Sequence, residues 1–112
     1  MSTTAAAALI CERLNAAGIR ATTDPAALNL PAVLVPPPRR VYDLACGYTA
    51  VWTIYALAPA PTGGDHVTWA ALDELVDAIA ATYPVEQAQP GAYVVGTNAV
   101  PSYTVTFSEV CE

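Results

Sequence analysis

The sequence predicts an α+β fold, two helices packed on one antiparallel or mixed β-sheet, in the order helix, strands, helix, strands. Three observations carry this. Two segments, "TTAAAALICERLNAAG" and "TWAALDELVDAIAATYP", repeat apolar residues at helical spacing. Two others, "RRVYDLACGYTAVWTIYALAP" and "SYTVTFSEV", are rich in β-branched and aromatic residues. The chain has 112 residues, 54% of them hydrophobic and 12% charged, which suits one core over residues 1–112 and excludes a disordered chain. Amphipathic helices and a sheet bury one another as two layers.

In the first helix Thr3 or Thr4 is placed to cap the orphan N–H groups. Ala7, Ile10, Cys11, Leu14 and Ala17 form its apolar stripe, and Gly18 sits where a helix commonly stops. Leu9 falls on the opposite side with Glu12, Arg13, Asn15 and Ala16, so it is expected to be exposed, or to meet another subunit. "GIRATT" reads as a short strand, "DPAALN" as a turn and "LPAVLV" as a second short strand. Three prolines, residues 36–38, then remove three ladder donors and end that strand. In the long segment that follows, alternation puts Tyr42, Leu44, Cys46, Tyr48, Trp52 and Ile54 on one face. Val41, Asp43, Thr49, Val51, Thr53, Tyr55 and Leu57 form a mixed second face that is expected to be partly covered, and Gly47 marks a turn or bulge.

Residues 59–67 read as a loop. Thr68 is placed to cap the second helix, whose stripe is Trp69, Leu72, Leu75, Val76, Ile79 and Tyr83, and Pro84 ends it. "PVEQAQPG" reads as a connection, "AYVVGT" and "SYTVTFSEV" as strands, and "NAVP" as the hairpin link between them.

Charge and composition exclude several functions. The net charge is −6 with no lysine, so there is no basic footprint for nucleic acid. No uncharged apolar run suits a membrane helix, and the N-terminal segment lacks the basic start of a signal peptide, so the expectation is a protein made in a cytoplasm. Cys11, Cys46 and Cys111 follow no CxxC spacing and are expected to be buried thiols.

The chemistry-bearing candidates are few. His66 beside Asp65 is a possible acid–base pair, but "GGDH" is ordinary turn sequence and no nucleophile accompanies it. Asp73 and Asp77, with Glu74, share a helix face that reads as solvated, with no further ligand group for a cation. "TGGD" lacks the lysine and spacing of a phosphate loop. The PxxP pattern of "PAVLVPPPRR" lies between two strands instead of in a flexible ligand segment. Arg39 and Arg40 open a strand where arginine suits bidentate pairing with carboxylates. The expectation is no catalytic residue, no metal and no cofactor. The candidate subunit interface is Leu9, Arg39, Arg40, Asp73 and Asp77, with the arginines meeting a neighbour's acidic helix. The candidate docking loop is Pro59, Pro61, Thr62, Asp65 and His66.

The succession "DPAALNLPAVLVPPPRRVYDLACGYTAVWTIYALAPAPTGGD", "ALDELVDAIAATYPVEQAQP" and "PSYTVTFSEV" resembles the tail terminator proteins of long-tailed bacteriophages, in particular those infecting high-GC actinobacterial hosts. That resemblance is one of pattern and length over most of the chain. It implies a small α+β subunit of the virion, assembled in the host cytoplasm into a ring, hexameric in the family, at the head-proximal end of the tail. Such a ring caps the tail tube, stops its growth and joins it to the head–tail connector protein. DNA passes through the channel without specific binding, and an acidic subunit suits that role. Two alternatives stand beside it: another phage head–tail joining or neck protein, and a small ligand-binding α+β domain or enzyme with Tyr42, Tyr48 or His66 at its rim.

Overall fold

A computed structural model describes residues 3–24, 31–43, 47–58, 65–95 and 98–111, and the side chains of these except 3–4, 43, 65–68, 95, 98 and 109–111. Its order is α1 (Thr3–Ala16), β1 (Ala21–Thr22), β2 (Ala32–Leu34), β3 (Arg39–Asp43), β4 (Gly47–Leu57), α2 (Asp65–Thr82), β5 (Gln87–Val95) and β6 (Asn98–Cys111). The fold is the α+β arrangement the sequence predicts, with a six-stranded mixed sheet.

α1 ends where the chain has a residue suited to the left-handed region. Gly18 has φ of 88°, the Ile19 N–H donates to Leu14 O at 2.9 Å, and the Gly18 N–H donates to Asn15 O at 3.0 Å. That pair of bonds is a Schellman motif, and its apolar partners Leu14 and Ile19 are both buried. Ala17, expected on the apolar stripe, is exposed because it lies beyond the helix end. β1 then pairs parallel to β2, through Val33 N–H to Arg20 O and Val35 N–H to Thr22 O. The proposed "DPAALN" turn lies, after Asp24, outside the described residues.

β4 and β6 form the long centre of the sheet, in register from Tyr48↔Cys111 to Leu57↔Ser102. β2 and β3 pair in succession along the same edge of β4. Leu34 pairs with Tyr55 and Arg39 with Val51, so residues 35–38 stand opposite the shorter stretch 52–54. The extra residue falls within the proline segment, which contributes no N–H to the ladder at positions 36–38. Leu34 and Arg39 are therefore brought to one face, although their spacing would place them on opposite faces of a regular strand. Gly47, expected to mark a turn or bulge, has φ of 96° and opens β4 opposite Asp43, so β3 and β4 pair as an antiparallel hairpin.

Three boundaries differ from the sequence reading. α2 begins at Asp65, so Thr68 sits within its first turn and is not its cap, and the expected loop 59–67 is shorter. "QAQPG" is strand: β5 starts at Gln87, and Pro90 fits because β5 is an edge strand with β6 on one side only. "NAVP" is also strand, pairing from Asn98↔Val95 to Pro101↔Ala92, which moves the connection to residues 96–97.

The main core lies between the helices and one sheet face. Ile10, Cys11 and Leu14 of α1 and Leu72 and Ile79 of α2 meet Val33, Ala50, Trp52, Ile54, Val105 and Phe107 of the sheet. Phe107 stacks between Trp52 and Tyr83, at centroid distances of 6.3 and 4.9 Å. Trp69 meets Tyr103 edge-on at 5.8 Å, so α2 lies along β6, while α1 packs beside β1. On the opposite face a small second cluster joins Leu34, Leu57 and Val100, with Tyr55 and Tyr93 reaching over β6 to meet at 4.8 Å.

Candidate functional site

The sheet is longer than its helical cover. The molecule extends 52 × 25 × 25 Å, and β3 and β5 occupy opposite ends of opposite sheet edges. β3 lies from the row of Ser108 outward, whereas β5 spans the rows from Thr106 to Asn98. Among the described residues, the exposed large hydrophobic side chains lie on these strands: Val41 at 48% and Tyr42 at 67% on β3, and Val94 at 64% on β5. Both strands have a hydrogen-bonded neighbour on one side only, and such edges are templates for further pairing.

At the β3–β4 hairpin the two candidate arginines part company. Arg39 is opposite Val51 and faces away from the helices, while Arg40 is opposite Ala50 and shares the helix-side face. The expectation of a paired Arg39–Arg40 surface is therefore corrected: adjacent residues of a strand point to opposite faces. Arg40 donates from Nη1 to Tyr42 Oη at 3.1 Å, and its guanidinium carbon lies 5.4 Å from the Tyr48 ring centre. Tyr42 and Tyr48 meet at 5.5 Å. The hydrogen bond to Tyr42, followed by the nearby phenols, holds the Arg40 pKa above its ordinary value. The result is an exposed cation oriented by two aromatic rings.

Asp73 and Asp77 are exposed on the outer side of α2, as the helical spacing predicts. Neither forms an ion pair with another described residue of its own chain. α2 lies over β6 and β4, and β3 lies along the other edge of β4. Leu9, expected exposed, is partly buried on α1. Its neighbours Ile10 and Cys11 are drawn into the core, and the flank of a short helix is covered with them. Pro59, Pro61 and Thr62 lie outside the described residues, and Asp65 and His66 are the opening residues of α2 instead of loop positions. Tyr42 and Tyr48 enter the site as the partners of Arg40, and their shared position in the period-two alternation is the sequence signal for it.

The sheet face away from the helices presents Thr49, Val51, Thr53 and Tyr55 of β4, all partly buried, with Thr104, Thr106 and Ser108 of β6. Its central rows carry hydroxyl and apolar groups and no charge. Of the three thiols expected to be buried, Cys11 is buried, and burial raises its pKa. Cys46 and the Cys111 side chain lie outside the described residues. Among the described residues, no helix is long and apolar enough to cross a membrane.

Comparison of the chain with protein-family models, with curated proteins and with solved structures gave no match.

Proposed function

We propose that the chain is a structural subunit of a bacteriophage tail, a terminator that assembles into a ring at the head-proximal end of the tail tube, stops tube growth and offers a surface to the head–tail connector. The observation that supports this reading is that β3 and β5 are open edge strands at opposite sides of the subunit, and among the described residues they carry the exposed large apolar side chains. A subunit whose unlike edges are both open suits head-to-tail contacts, and those contacts close into a ring when their rotation closes. The resemblance in sequence pattern supplies the biological setting. The charge of the chain supports it as well: a net charge of −6 with no lysine disfavours a grip on DNA.

The test is polymerisation of tail tube protein with and without the purified chain, read as tube length by electron microscopy. A terminator stops growth and leaves short tubes, each with extra density at one end. Tubes that grow to the same length with the chain in excess, or a chain that binds the portal-side connector and ignores tube ends, would contradict the reading.

A further inference from the structure

We propose that the helix-side surface of the β3–β4 hairpin is a docking site for a second copy of this chain, in which Arg40, held by Tyr42 and Tyr48, receives the carboxylates of Asp73 and Asp77 on the neighbour's α2. This rests on the self-assembly part of the functional reading and names the contact that carries it.

Four features of the subunit lead to it. First, the cation is oriented: the Tyr42 hydrogen bond and the Tyr48 ring hold the Arg40 guanidinium at an exposed hairpin, and arginine with tyrosine is the composition of interface hot spots. Second, the charges complement each other. The chain has four cations against ten acids, and the exposed Asp73 and Asp77 stand one helical turn apart, where both can face one guanidinium. Third, neither of these carboxylates has an ion-pair partner among the described residues of its own chain. Fourth, the two surfaces lie on different parts of the subunit. The hairpin belongs to the β3 edge, and Asp73 and Asp77 are exposed on the outer side of α2, which packs over β6 and β4. A contact between unlike surfaces leaves one of each open on the pair, so it propagates from copy to copy. Arg39 takes no part, because it faces the other side of the sheet.

The experiment is sedimentation velocity over a concentration series on the full chain and its variants, with circular dichroism to confirm folding. Arg40→Glu is expected to weaken self-association by about tenfold or more, as expected for loss of a close interfacial charge pair. The double variant Asp73→Arg with Asp77→Arg should weaken it similarly, and Arg39→Glu should leave it near the wild type. Mixing the Arg40→Glu chain with the doubly reversed chain should restore assembly, since every contact then joins opposite charges. Arg40→Gln serves if the reversal unfolds the chain. An Arg40 variant that assembles as the wild type does, a mixture that stays dissociated, or a wild-type chain that remains monomeric throughout would overturn the proposal. Rings that persist in the Arg40 variant would remove this contact alone and leave the terminator reading standing. Failure to stop tube growth would remove the terminator reading and leave the contact standing.

Discussion

Gly18 and Asn15 together turn the end of α1 into the start of the sheet. Gly18 supplies the positive φ that closes the helix, and a Cβ added there would meet nothing within 4 Å. Gly18→Ala therefore carries backbone strain without a clash and should destabilise by about 1–2 kcal/mol, measured by urea denaturation. Asn15 works as a short strand of its own: Nδ2 donates to Cys11 O and Ala21 O, and Oδ1 accepts from the Ala21 N–H. Asn15→Ala should cost about 1 kcal/mol in the same measurement, with β1 the first element to lose amide protection. Cys11 adds a pH dependence. Its folded-state pKa is raised above the ordinary 9.0 by burial, so folding favours the protonated thiol. That contribution is fully present below the unfolded pKa and is lost as pH rises toward the folded value. With Cys46 and Cys111 replaced by serine, stability should fall above about pH 9, and a thiol reagent should label Cys11 only as fast as the chain opens.

At the scale of elements, adjacent positions of β4 should respond very differently. Trp52 is buried beneath the helices against Phe107, whereas Thr53 lies partly exposed on the uncovered face. Trp52→Ala should cost about 3–5 kcal/mol, and Thr53→Ala should change stability by about 1 kcal/mol or less, both read by denaturant melts. The contrast follows from a period-two pattern that was visible in the sequence, as were both helical stripes, because burial imposes those repeats directly. What the sequence obscured were the boundaries. Pro90 and Gly91 read as a connection, yet an edge strand tolerates both. Thr68 looked like a helix cap because hydroxyl residues favour that place, but the helix continues back through His66 to Asp65. The two arginines looked like a pair because they are adjacent, and only the strand register separates them. The role of Tyr42 and Tyr48 was half visible: their shared face could be read, but the hairpin that sets them opposite each other required the pairing partners.

At the scale of the molecule, the central pair β4–β6 acts as a spine with an overhanging hairpin at each end. Fourteen residues of β6 at about 3.4 Å each span about 48 Å, which accounts for most of the 52 Å length. The helices cover the middle of one face and leave open the edge strands β3 and β5, which lie at diagonal corners. The measurement that tests the terminator reading most directly is an image reconstruction of the chain assembled with tail tubes. The expected result is a closed ring of copies of this chain at one tube end, with the β3–β4 hairpin of each copy against α2 of the next. Tube ends bare of the chain, with the chain dispersed as single subunits, would contradict it.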